Sequence, residues 1–197
     1  MKQDWVDGVH RRTAAAIKAG RANRSAQWLA DETERLGYPI SRAAIANYES
    51  GRKKSLDIAE LLVLAAALQI PPLTLLFPQL PDGPVEVLPA IETTSWDAAA
   101  WFSGEEISPD PDDDTWTSSK QYQLLRAVRD RRDQRLAAVH FVEFVGRFAR
   151  TARDEKRRIT LNDPDMRAIS EQVRTLKKEI TRLDEVIREN GGVIDGG

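Results

Sequence analysis

Seven apolar residues near the end of the chain, Met166, Ile169, Val173, Leu176, Ile180, Leu183 and Ile187, recur at spacings of 3, 4, 3, 4, 3 and 4. That rhythm is helical, because an average step of about 3.5 residues keeps one face of an α-helix aligned, whereas a strand needs a step of two. With Met166 at heptad position a, Val173, Ile180 and Ile187 also fall at a, and Ile169, Leu176 and Leu183 at d. β-Branched residues at a with mostly leucine at d favour a parallel two-stranded coiled coil, and hence a homodimer. The flanking charges argue less clearly: across a parallel dimer Glu179 and Asp184 face each other and repel, while Gln172 and Lys177 are compatible. The other solution packs the stripe back on the preceding helical segment as an antiparallel hairpin within one chain. Both hold together if two hairpins form a bundle. Asp163-Pro164 is a cap and first-turn pair that starts this helix, and Gly191-Gly192 stops it.

The preceding segment, 118–158, has no proline and one glycine, Gly146. Tyr122, Leu125, Val128, Leu136, Val139, Val142, Val145 and Phe148 recur there mostly at three or four, predicting a second long helix. Ten arginines, from Arg126 to Arg158, share its surface. They either follow a phosphate backbone or solvate a bundle and pair with acidic residues elsewhere. Their distribution around the whole helix favours the second reading.

The formal net charge of -2 is a cancellation of blocks. Residues 1–78 carry 11 basic and 8 acidic side chains, 79–115 carry ten acidic and no basic ones, 116–160 carry 12 and 5, and the remainder 6 and 8. Segregation of this kind suits a nucleic-acid binder with an acidic spacer, and suits equally two solvated helical regions joined by a linker. Pro81, Pro84, Pro89, Pro109 and Pro111, with the run Asp110 to Asp114, mark 79–115 as that linker. Within it, 93–103 makes a short helix with Trp96, Ala99 and Ala100 on one face; Trp96, Trp101 and Phe102 are expected to dock on a neighbouring domain. The acidic run is placed to screen the basic surfaces when no polyanion is bound. No hairpin signal of the Asn-Gly type is present.

Composition narrows the function. With no cysteine there is no disulfide, thiolate nucleophile or Cys-based metal site. His10 and His140 are the only histidines, and no nucleophile has an evident base, so an enzyme is not expected, nor is a cofactor or a metal. The longest apolar run, Leu61 to Phe77, is broken by Gln69 and Pro71-Pro72, and the first residues have no apolar stretch behind them. Neither a membrane span nor a signal peptide is expected, which predicts a cytoplasmic protein.

Residues 1–78 read as five short helices. Val6 to Ala22 forms the first; Ser25 caps a second over Ala26 to Leu36, ended by Gly37; Ser41 caps a third over Arg42 to Ser50, closed by Gly51. Asp57 caps a fourth that buries Ile58, Leu61, Leu62, Leu64, Ala65 and Leu68, and Pro72 to Phe77 adds a turn or two. Ile17, Leu29, Ile45, Leu61, Ala65 and Leu76 are the expected core.

Three ordered blocks, Ser25 to Ala30, Ile40 to Arg52 and Leu61 to Pro71, together resemble the XRE family of phage-repressor-like helix-turn-helix proteins, over a little more than a third of the chain. The resemblance implies that Ser41 starts a recognition helix whose Arg42, Ala43, Ala44 and Asn47 face the major groove. Arginine pairs bidentately with guanine and asparagine with adenine, and small alanines admit the helix or touch a thymine methyl. Ile45 and Tyr48 then belong to the core. Arg24, Ser25, Gln27, Ser41, Arg52, Lys53 and Lys54 are implied to hold the DNA backbone. Glu49 matches the family's buried acid, and Lys18 is the partner expected for it, although the family prefers arginine. From Ala30 to Ser41 the chain is about five residues longer than in the prototype repressors, which alters the approach angle of the recognition helix.

The expected protein is therefore all-α: a five-helix repressor-like domain (1–78), an acidic linker (79–115) and a helical assembly domain (116–197). Its expected function is sequence-specific binding of a double-stranded DNA operator as a dimeric transcriptional regulator, a repressor of phage or mobile-element type. The alternative is a protein-interaction adaptor acting through its C-terminal coiled coil.

Overall fold

The structure, a computed structural model, describes residues 2–53, 55–105, 108, 119–156, 160 and 163–194 of the chain. It is mostly helical: α1 (Lys2–Arg21), α2 (Ala26–Arg35), α3 (Arg42–Glu49), α4 (Ile58–Leu68), α5 (Pro72–Leu76), β1 (Pro84–Leu88), β2 (Ile91–Thr94), α6 (Ser95–Ser103), α7 (Lys120–Asp154) and α8 (Pro164–Glu189). These elements divide into two compact units, Met1–Asp112 and Asp113–Gly197. No described helix is long and apolar enough to cross a membrane.

In the first unit α2, α3, α4 and α6 start where a polar side chain satisfies an otherwise unpaired amide. Ser25 Oγ accepts from Trp28 N, Ser41 Oγ from Ala44 N, and Asp57 Oδ1 from Glu60 N while Glu60 Oε2 accepts from Asp57 N in a reciprocal box. The helices close over Ile17, Leu29, Ile45, Tyr48, Leu64, Ala65, Leu68 and Leu75. Two expected core positions of α4 are instead exposed, Ile58 (77%) and Leu62 (51%). They lie one turn apart, turned away from the side of α4 that buries Leu64, Ala67 and Leu68, so the apolar composition of this helix exceeds the surface its neighbours cover.

The segment read as a linker is largely folded. β1 and β2 pair antiparallel, with Pro84 opposite Thr94 and Leu88 opposite Ile91, and α6 follows from the Thr94 cap. Val85 and Val87 point inward and join Phe77, Ala98 and Ala99 in a second apolar cluster, to which α5 contributes Leu73 and Leu76. Two arms of α1 fasten the hairpin: Arg12 donates from Nε to Leu76 O (2.9 Å) and from Nη1 to Glu86 O (3.2 Å), and Trp5 Nε1 donates to Glu86 O (3.2 Å). The hairpin escaped the sequence rules because its two-residue loop is Pro89-Ala90, with Ala90 at φ 67°, a conformation ordinarily signalled by Gly or Asn. Residues 109–115, including Asp110 to Asp114, lie outside the described residues.

The short helix exists, but its faces differ from expectation. Ala98, Ala99 and Ala100 are buried and Trp101 packs on the second cluster, whereas Trp96 is exposed. Phe102 is also exposed, with its ring edge on to Phe77 at 5.9 Å.

In the second unit α7 and α8 lie against each other. Ala127 meets Leu183 and Ile187, with Leu124, Val186 and Ile194 around them, and Arg131 forms an ion pair with Asp184. The start of α7 thus touches the end of α8. Gly191 ends α8 at φ 86°, and Gly192 passes so close to Ile187 and Leu124 that a Cβ there would collide with both. Of the seven-residue stripe, Leu176, Leu183 and Ile187 are buried, Met166, Ile169 and Ile180 half-buried and Val173 exposed. On α7 the buried or half-buried stripe is Leu124, Ala127, Arg131, Gln134, Ala138, Phe141, Val145 and Ala152. It overlaps only partly with the apolar series anticipated from sequence: Tyr122, Val145 and Phe148 of that series are half-buried, but Leu125, Val128, Leu136, Val139 and Val142 are exposed.

Candidate nucleic-acid interface

α3 is an eight-residue helix whose two faces have different tasks. Ile45 (2% exposed) and Tyr48 (3%) anchor it in the core. The opposite face carries Ala43, Ala44 and Asn47, which with Ser41, Arg52 and Lys53 line a shallow depression of about 540 Å³. Six of the residues singled out from sequence for DNA contact therefore share one concave surface. Arg42 stands exposed at the first turn of the same helix. Ala44 is half-buried and packs partly on the core, so it forms the floor of the depression.

Two features keep α3 in place. Gly37, at φ 84°, ends α2 with Gly37 N donating to Glu34 O and Tyr38 N to Thr33 O. Thr33, fully buried, then ties the long α2–α3 connection: its Oγ1 donates to Ala30 O (2.8 Å) and accepts from Ile40 N (3.0 Å). At the other end Gly51 (φ 74°) closes the helix, and Lys53 N donates to Asn47 O (2.9 Å).

The ion pair expected between Lys18 and Glu49 is replaced. Arg21, one turn further along α1, holds Glu49 through Nε to Oε1 (2.9 Å) and Nη2 to Oε2 (2.8 Å). The planar guanidinium matches both carboxylate oxygens, which an ammonium cannot do. This contact raises the Arg21 pKa above its ordinary value. Lys18 is exposed and lines an open cleft with His10 and Arg11.

The other expected backbone contacts are unequal. Arg24 is held within the fold: Nε donates to Arg21 O, Nη2 to Gly20 O, and the guanidinium lies 3.8 Å over the Trp28 ring. Gln27 spends its amide donor on Asp31 Oδ1 (2.7 Å). Lys53 forms an ion pair with Glu60 and so bears little free charge. Among the described residues Arg52 donates only to Ser50 Oγ (3.1 Å), and it is exposed. The Ser25 and Ser41 oxygens accept cap hydrogen bonds, which leaves each hydroxyl proton able to donate outward. Lys54 lies outside the described residues.

Arg42 and the Asn47 side-chain amide have no intramolecular partner among the described residues. Arg42 offers a guanidinium fork at the exposed first turn of α3, and half-buried Asn47 a paired donor and acceptor in the depression. Tyr48 is less well served: its hydroxyl is buried without a hydrogen-bond partner among the described residues, and burial, with the charge of Glu60 second, pushes its pKa up to about 12. Sequence reasoning missed Arg12, Arg21 and Thr33. The first two resembled any surface arginine, and their roles depend on groups 28 to 74 positions away.

Among the described residues no group of His, Cys, Asp or Glu is arranged to hold a metal ion. Comparison of the chain with protein-family models, with curated proteins and with solved structures finds no match.

Proposed function

We propose that the first unit is a helix-turn-helix reader of double-stranded DNA, with α3 lying in the major groove, and that the protein is a transcriptional regulator of repressor type. The observation that carries this is the pairing of unengaged Arg42 and Asn47 side chains with a helix fixed behind by Ile45 and Tyr48 and capped in front by Ser41. Such rigidity matters because base readout needs donors and acceptors placed before contact; each good bidentate pair is worth about 1–3 kcal/mol of discrimination. Arg52 and the Ser25 and Ser41 hydroxyls supply the phosphate contacts in this reading, with the amides at the start of α2. Two copies joined through the C-terminal helices would present two α3 helices to a pseudo-palindromic operator, and occupancy of the operator would block a promoter.

A salt titration with duplex DNA tests the reading. The full chain is expected to bind random duplex at low salt and a selected operator more tightly. Replacing Arg42 and Asn47 together with alanine should abolish operator preference while leaving most nonspecific affinity. No measurable affinity at low salt would leave the adaptor reading, in which the first unit serves only as a packed support for assembly through α7 and α8.

A further inference from the structure

The exposed apolar face of α7 is the largest feature for which neither the fold nor the DNA reading has a use. Leu125, Val128, Leu136, Val139 and Val142 are 39%, 44%, 51%, 55% and 70% exposed. At 3.6 residues per turn they fall within an arc of about 120°, beside the stripe that packs on α8. Between Leu125 and Gly146 four further residues occupy the same arc: Arg132, Arg135, Glu143 and Gly146. Arg135 and Glu143 have no partner among the described residues, and a Cβ on Gly146 would meet nothing within 4 Å.

We propose that this face is a self-complementary interface, on which a second copy of the chain packs its own α7 in the opposite direction. The charge pattern selects both the occupant and the direction. If Val139 of each copy meets at the two-fold axis, Arg135 of one helix lies opposite Glu143 of the other, and the symmetry makes the same pair twice. Leu136 lies opposite Val142, and Arg132 opposite Gly146, where the missing side chain gives the arginine stem room. A parallel arrangement sets Arg135 against Arg135 and Glu143 against Glu143. Glu143 is the only acidic residue of α7 between Asp133 and Asp154, and it adjoins the apolar stretch of this face, whereas Asp154, on the same arc, lies in the last turn of the helix. Leu136, Val139 and Val142 carry the association, the stems of Arg150 and Arg153 lie over Val128 and Leu125, and the two ion pairs fix the direction. The α8 stripe then serves mainly the contact with α7 of its own chain, and the assembled unit is a bundle of four helices.

The inference does not rest on the DNA reading, and its test contains no DNA. Sedimentation equilibrium of the full chain is expected to show a monomer–dimer equilibrium. Val139→Asp and Val142→Asp should each weaken it at least tenfold, with helix content by circular dichroism unchanged, since both side chains are exposed. Glu143→Arg alone and Arg135→Glu alone should each weaken it, and the two combined should restore it. A wild-type chain that stays monomeric at high micromolar concentration overturns the proposal. So does a dimer that ignores the α7 substitutions but is lost on Val173→Asp, the outcome for a parallel α8 coiled coil, and failure of the charge exchange to restore affinity overturns the antiparallel register.

Discussion

Arg21 holds Glu49 with two parallel hydrogen bonds of 2.9 and 2.8 Å, joining the last turn of α1 to the last turn of α3. Both side chains are largely withdrawn from solvent, at 15% and 9% exposure, so removing either strands the other. Arg21→Ala or Glu49→Ala is expected to cost about 2–3 kcal/mol in chemical denaturation, toward the lower end for a buried pair. Lys18→Ala should stay within about 0.5 kcal/mol, as an exposed residue does. Equal losses at Lys18 and Arg21 would contradict the assignment.

Tyr48→Phe removes a buried hydroxyl that has no partner among the described residues. An unsatisfied polar group of this kind costs about 1–3 kcal/mol, so the phenylalanine variant should be at least as stable as wild type, and more stable by about 1 kcal/mol if the ring keeps its place. A loss above about 1 kcal/mol in urea denaturation would show that the hydroxyl is satisfied in solution.

The same residue gives the first unit an alkaline signature. Its folded pKa of about 12 lies above the ordinary value of 10.0, so its contribution is fully present below pH 10 and is lost as pH rises through about 12. Ultraviolet titration of the three tyrosines should show one ionising late, and that step should vanish in Tyr48→Phe.

Thr33 presents a single hydroxyl to two backbone groups, Ala30 O and Ile40 N. Thr33→Val keeps the volume but leaves the Ile40 amide without its acceptor, and is expected to cost about 1–3 kcal/mol. Thr33→Ser keeps the acceptor and should cost less. Hydrogen exchange at the Ile40 amide reads the difference directly, and equal protection in the two variants would refute the role.

In the second unit Leu183 is 2% exposed between α7 and α8. Leu183→Ala is expected to lose about 2–4 kcal/mol of that unit's stability, against under about 1 kcal/mol for the exposed Val173→Ala. Thermal denaturation of the two variants checks the contrast, and a larger loss at Val173 would contradict the packing described.

The residues behind these predictions divide by the range of the interactions that define them. Caps are local: Ser25, Ser41, Asp57 and the glycines Gly37, Gly51 and Gly191 act within a few positions of themselves, and the helix limits read from sequence fall close to those observed. Periodicity is local too, so α7 and α8 were legible as helices. The hairpin was not, since Ala90 adopts its left-handed conformation without the residue type that announces it.

Sequence by itself thus determined where the chain is helical, because helix formation depends on caps and spacing inside one turn or two. Only the tertiary structure decided which of the chemically similar candidates meet. Arg21 took Glu49 because two planar groups match in two hydrogen bonds; Arg12 went to the Leu76 and Glu86 carbonyls because α1 crosses them. The α7 residues that meet α8 include Ala127 and Arg131, which the series of larger apolar residues passes over. Ala127 and an arginine matched to Asp184 bring the start of α7 against the end of α8, and Leu125, Val128, Leu136, Val139 and Val142 were left facing outward.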